Sequence, residues 1–202
     1  MNYTPVFILG NPRSGTSLLR IILDSHNDIV SPPEGGFAQW LYGKYNNWKW
    51  SVNDKKIISR FADDVLQTKK FETWGVSKKE ILERIEHNQP TNYGDLVACV
   101  YLAYGTGNEK VIVDKNNYYI NYLNTIHKIW PNAKYIHMIR DGRDVACSYM
   151  DVNGLKTDSK YKPQLPANIK DIAQEWYTNN KKIQNFCNDK NSFLVKYESL
   201  IT

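Results

Sequence analysis

The amino-acid sequence predicts an α/β fold: a P-loop-type parallel β-sheet flanked by helices, with a helical insertion after the first strand–helix unit. Three observations predict it. Short apolar runs alternate with stretches of helical spacing, at 6–9 then 16–23, 111–113 then 119–130, and 134–139 then 142–150. The first run ends in a loop bracketed by Gly10 and Gly15. Between residues 35 and 104 the pattern turns almost wholly helical. Strands that alternate with helices imply a parallel sheet covered on both faces.

Each element has its own signal. Val6 to Leu9 is a continuous apolar run, as a strand buried on both faces requires, and from Thr16 the residues Leu18, Leu19, Ile22 and Leu23 recur at helical spacing. In the helical stretch, Ser77 followed by Glu80 is a capping box opening Ile81, Leu82 and Ile85. Leu96, Val97, Val100, Tyr101 and Tyr104 form a second stripe, ended by Gly105 and Gly107. We read residues 36–106 as an insertion between the first and second sheet strands. It is expected to lie over the carboxyl ends of the strands, where ligands of open α/β sheets bind. Val111-Ile112-Val113 is the next strand, followed by a helix over 119–130 that Pro131 stops. A strand at 134–139 and a helix at 142–150 follow. Residues 151–166, with Gly154, Pro163 and Pro166, make the one long loop and read as a gate. A helix over 168–187 leads to a last strand at 193–195. All of 1–202 is read as one domain.

Composition narrows the function classes. Lysine and arginine number 26 against 21 acidic residues, a net charge of +5, and 42% hydrophobic residues support a core rather than a disordered chain. No apolar run reaches ~18 residues, so no membrane span is predicted. The first ten residues lack a signal-like pattern, which points to the cytoplasm. Cys99, Cys147 and Cys187 form no CxxC pair, which argues against a disulfide framework and against a zinc or other metal site. Basic residues occur as pairs such as Lys55-Lys56 and Lys69-Lys70, read as solvated, and no block of five appears. A small anionic ligand fits this better than nucleic acid.

The loop Gly10-Asn-Pro-Arg-Ser-Gly-Thr-Ser17 follows a strand and opens a helix. Its backbone N–H groups and the positive end of the helix can cradle anionic oxygens. Ser14, Thr16 and Ser17 add hydroxyls and Arg13 a permanently charged fork. A nucleoside-triphosphate loop would carry lysine where Thr16 stands. Further on, Arg140 leaves a buried strand, Asp141 and Asp144 look like caps of the next helix, and Ser148 lies in its second turn. A phosphate near that helix start would gain charge-assisted bonds from Arg140. The competing reading pairs Arg140 with Asp144 as a surface ion pair, and Arg143 reads as structural.

In these two segments, residues 12–17 and 135–148, the chain resembles the sulfotransferases that use 3′-phosphoadenosine 5′-phosphosulfate (PAPS). Arg13, where another branch has lysine, makes it most similar to the tyrosylprotein-type and broad bacterial branch. The resemblance runs from about residue 6 to residue 198. It implies that Arg13, Ser14, Gly15, Thr16 and Ser17 hold the 5′-phosphosulfate, and that Arg140 and Ser148 hold the 3′-phosphate. Tyr197, in Lys-Tyr-Glu-Ser-Leu, matches a segment near the nucleotide. PAPS is then the co-substrate, adenosine 3′,5′-bisphosphate (PAP) the product, and the acceptor a hydroxyl on peptide tyrosine, a carbohydrate or a small molecule.

Sulfuryl transfer needs a base for the acceptor and a cation for the departing phosphate. Glu34, 21 residues after Arg13, stands at the family's spacing for its catalytic glutamate; partial burial is expected to raise its pKa. Lys115, 25 residues before Arg140, matches the lysine that steadies the leaving phosphate, a role shared with Arg13. His26, His87, His127 and His137 read as helix-end, helical or core residues. Trp40, Tyr42, Tyr45, Trp48 and Trp50 follow Glu34 and read either as a platform for an aromatic or sugar acceptor or as a small core. Two other functions stay open: a P-loop kinase or nucleotidase, and a non-catalytic nucleotide-binding protein. In the family, further helices and a glycine- and base-rich segment follow the last strand. Their absence after Leu200 leads us to expect a truncated fold, exposed apolar surface and self-association as a homo-oligomer.

Overall fold

The computed structural model describes residues 1–46, 54–187 and 190–202. In chain order it contains β1 (Thr4–Leu9), α1 (Thr16–Asp24), β2 (Ile29–Val30), α2 (Phe37–Trp40), α3 (Tyr42–Tyr45), α4 (Lys55–Leu66), α5 (Lys78–Asn88) and α6 (Tyr93–Tyr104). Then come β3 (Val111–Lys115), α7 (Leu123–Ile129), β4 (Lys134–Ile139), α8 (Gly142–Gly154), α9 (Ile169–Phe186), β5 (Ser192–Lys196) and α10 (Tyr197–Leu200). The strands form one parallel sheet in the order β2-β3-β1-β4-β5. β1 is central: Thr4 lies opposite Val111 and Ile8 opposite Lys115 on one side, and Val6 opposite Lys134 on the other. Because β1 sends the chain to β2 and β3 on one side and to β4 and β5 on the other, the strand order reverses beside it. A crevice opens there, at the carboxyl ends of the strands.

Alternation along β1 sorts the core. Phe7 and Leu9 enter a large cluster with Ile112, Tyr135, Ile183 and the apolar side of α6. Ile8 faces the other way, onto Leu19 of α1, Val113 and Met138. Helices α2 to α6 form the expected helical stretch, and Ser77 and Glu80 complete the capping box of α5. On β5, Phe193 and Leu194 are exposed.

Three elements differ from expectation. A two-residue strand, β2, precedes the helical stretch, so the insertion follows β2 rather than the first strand–helix unit directly. The helix expected over 119–130 is a 3-10 turn at Asn117–Asn121 and then α7, because Tyr122 (φ −132°, ψ 23°) leaves helical geometry between them. α8 runs a turn further than the sequence suggested, to Gly154, and shortens the gate segment to 155–168. Among the described residues no helix is long and apolar enough to cross a membrane.

Candidate active site

Every strand delivers one residue to the crevice from its carboxyl end. Glu34 follows β2, Lys115 ends β3, Arg13 follows β1, Arg140 follows β4 and Tyr197 follows β5; all five line a cleft of about 640 Å³. Arg20 and Lys70 line it too. Its charged groups are therefore Arg13, Arg20, Lys70, Lys115 and Arg140 against the single carboxylate of Glu34. That excess of cations suits an anion.

The loop after β1 takes two left-handed residues, Arg13 (φ 66°) and Gly15 (φ 87°). For arginine this conformation is uncommon. A Cβ on Gly15 would strike the ring of Tyr197, so position 15 needs glycine for both φ and space. Gly15 also caps α1 without a side chain, leaving the N–H groups of the first turn free of a side-chain acceptor. The Arg140 guanidinium lies 4.4 Å over the Tyr197 ring and donates to the Arg13 carbonyl (3.2 Å). Its Nε has no hydrogen-bond partner among the described residues and stands 3.9 Å from Asp144. The Arg140–Asp144 pair is thus long and exposed on the aspartate side, while Arg143 pairs closely with Asp141 (2.6 Å). Asp141 alone caps α8, accepting from the Arg143 backbone N–H.

Of the other loop residues, Thr16 and Ser17 line the cleft, and Thr16 Oγ1 donates to Asn117 (3.4 Å). Ser14 is fully buried, does not line the cleft, and its Oγ has no partner among the described residues. Ser148 lies beside the cleft and accepts from Arg13 Nε at 3.0 Å.

Glu34 is gripped by two lysines. Lys115 Nζ bonds Oε1, and Lys70 Nζ bonds Oε2 at 2.5 Å. Partial burial on its own would raise the carboxyl pKa, as the sequence suggested. The attraction and hydrogen bonds of Lys115, and then of Lys70, outweigh burial and hold Glu34 below the usual carboxylate range. The expectation of a raised value is therefore corrected. Lys115 is 4% exposed, and this burial lowers its ammonium pKa despite the Glu34 charge.

Sequence reasoning missed Lys70. One of a Lys-Lys pair in a polar stretch, it looked like a solvated cation, yet it sits at φ 72° and reaches into the cleft. Tyr161, from the segment after α8, packs its ring 5.7 Å from Lys70 Nζ. Lys160 and Tyr161 both bond Glu72, tying residues 155–168 to the 3-10 turn after Lys70. Asp114 is fully removed from the cleft: Tyr101 donates to it at 2.5 Å inside the core, and burial pushes its carboxyl up to about 7. His137 is a core histidine bonded to Asn180 (3.0 Å), its pKa lowered by burial.

The aromatic cluster divides. Tyr45 is core, bonded to Asp64, and Tyr42 packs edge-on to Tyr93. Trp40 is 40% exposed and lines a second cleft of about 580 Å³, which meets the first at Pro12, Glu34, Lys70 and Asn117. Trp48 and Trp50 lie outside the described residues.

Comparison with known proteins places this architecture. Protein-tyrosine sulfotransferase 1 of Danio rerio is 29% identical over 68% of this chain, which covers 33% of that protein. Nodulation protein NoeE of Sinorhizobium fredii is 27% identical over 83% of this chain and 36% of its own length. Across the first five curated relatives the chain spans between 31% and 59% of their length. Among solved structures, the sulfotransferase domain of the Synechococcus PCC 7002 olefin synthase matches 99% of this chain and 68% of its own, with a TM-score of 0.59 at 20% identity. A sulfotransferase from Alicyclobacillus acidocaldarius has a TM-score of 0.52 at 16% identity, over 100% of this chain and 76% of its own. These two establish likeness of fold. The model of the sulfotransferase family runs from residue 5 to residue 202, across every strand that feeds the cleft, and the chain belongs to that family.

Proposed function

We propose that this chain binds PAPS in the larger cleft and transfers its sulfuryl group to a hydroxyl that enters through the smaller one, with Glu34 as base. The observation that carries the reading is the position of Glu34, at the junction of the two clefts and bonded to Lys115. PAPS supplies an activated sulfuryl group on a phosphate leaving group. The bare first turn of α1, the five cations and the Arg140 Nε, which has no hydrogen-bond partner among the described residues, suit a ligand carrying several anionic oxygens. Arg13 and the N–H groups of residues 15–17 would hold the 5′ end, with the buried Ser14 bracing the loop through its N–H to the Asn11 carbonyl. Arg140 and Ser148 would hold the 3′-phosphate, and Tyr197 would flank the nucleotide.

Lys115 and Arg13 face the charge that develops on the departing phosphate. Glu34 is ionised at neutral pH and needs only an acceptor proton within reach. Anionic oxygens in the cleft compete with Glu34 for Lys115 and Lys70, and the loosened carboxylate becomes the stronger base. The three cysteines, none in a disulfide, suit a reducing compartment, and we place the reaction in the cytoplasm. The test is transfer of labelled sulfuryl from PAPS to a panel of hydroxyl acceptors. Turnover by the parent that falls at least ~100-fold in Glu34→Gln supports the reading. Full activity in Glu34→Gln removes Glu34 as the base.

A further inference from the structure

The smaller cleft carries information about the acceptor. Trp40 and Tyr118 stand on its wall with ring centroids 6.3 Å apart and planes at 60°, each about two-fifths exposed. Both are fixed. A Cβ on Gly36 would collide with the Trp40 ring, although Gly36 has an ordinary φ of −96°, so glycine is used there to let the indole lie on the backbone two residues beyond Glu34. Tyr118 packs on Tyr122 with ring centroids 4.6 Å apart and planes tilted by 37°, and donates its hydroxyl proton to it, which leaves its exposed ring as the recognition surface.

Around these rings the wall is amide-rich and close to neutral. Asn117 and Asn121 use their carbonyl oxygens on Thr16 and Lys182, so that their NH₂ groups have no acceptor among the described residues. Gln164 adds a third amide. The charges that line the cleft balance in number, Lys69 and Lys70 against Glu34 and Glu175, with Lys70 bound to Glu34. An acidic peptide would meet little net positive charge here, and a phenol brings one hydroxyl to three amide side chains. A pyranose satisfies both features. Its C–H face packs on an aromatic ring while its hydroxyls pair with amide side chains.

We propose that the cleft beside Glu34 is a sugar subsite and that the acceptor is a hydroxyl of a neutral carbohydrate. The proposal rests on the sulfuryl-transfer reading for its chemistry but not for its binding. In the transfer the sugar O–H gives its proton to Glu34, and its oxygen forms the new O–S bond. The S–O bond to phosphate breaks, with its electron pair left on the phosphate.

Saturation-transfer NMR on the protein with PAP present tests this, using cellotetraose, maltotetraose and an acidic tyrosine-containing hexapeptide as probes. The expected result is binding of at least one tetrasaccharide, weakened at least tenfold in Trp40→Ala and in Gly36→Ala. The PAP-induced melting shift of both variants should be unchanged, which reports that they remain folded. Failure of both sugars to bind, sugar binding indifferent to Trp40→Ala, or Trp40-dependent binding of the peptide instead would each overturn the subsite. A protein that binds sugar through Trp40 but shows no melting shift with PAP would uphold the subsite and count against the donor reading alone.

Discussion

Glu34 and Lys115, 81 residues apart in the chain, are bonded to each other at the point where the two clefts meet. The pair joins the segment after β2 to the end of β3, the neighbouring strand, so sheet order itself brings carboxylate and ammonium together. Lys115 is nearly inaccessible, so removing its partner charge has a structural consequence. Glu34→Gln should lower stability by on the order of 1–3 kcal/mol, because a buried ammonium loses its counter-charge. Adding Lys115→Met to the same chain should restore most of that loss while leaving activity abolished. Thermal melts of the single and double variants check this; a double variant no more stable than Glu34→Gln would contradict it.

Lys70 should set the acidity of Glu34. Its ammonium helps hold the carboxyl below the ordinary value of 4.5. With that cation gone in Lys70→Met, the carboxyl pKa rises, and the acid limb of the pH–rate profile should move to higher pH. An unshifted acid limb with an otherwise normal rate would show that Lys70 does not act through Glu34.

Arg140→Ala should weaken PAP binding by roughly 1.5–3 kcal/mol, the range for a hydrogen bond to a charged group. That corresponds to about 10- to 150-fold in Kd. The side chain lies over Tyr197 at the rim, so the fold should survive. Calorimetric titration of PAP separates the two effects, and an unchanged Kd would remove Arg140 from the donor site.

Asp114 should give stability an unusual pH dependence. Its folded pKa of about 7 lies above the ordinary 3.8. The folded chain therefore holds this proton more tightly, and the resulting stability is complete below 3.8 and lost as pH rises through about 7. Asp114→Asn cannot ionise, so its Tm relative to the parent should climb between pH 5 and pH 8. A flat difference over that window would contradict a buried, proton-binding Asp114.

Much of this was legible in the sequence because the signals were local. The glycine-bracketed loop, Arg140 at a strand end and the alternation of strand and helix each lie within a few residues. β2 was not legible, since two residues, Ile29 and Val30, carry no periodicity. Nor was the direction of the Glu34 shift: burial can be guessed from flanking prolines, but its two cations come from 36 and 81 residues away. Lys70 and Tyr118 were missed for the same reason. A lysine beside another lysine, or a tyrosine in a polar turn, acquires meaning only when the fold sets it against Glu34 or Trp40.

The most direct test of the donor cleft is the melting temperature of the protein with PAP and, separately, with ATP and magnesium. A ligand at ~100 times its Kd stabilises the folded chain by ~2.7 kcal/mol. PAP should therefore raise the Tm by several degrees, with a much smaller rise for ATP and magnesium. An equal or larger response to ATP and magnesium would contradict the assignment of the cleft to a 3′-phosphorylated sulfuryl donor.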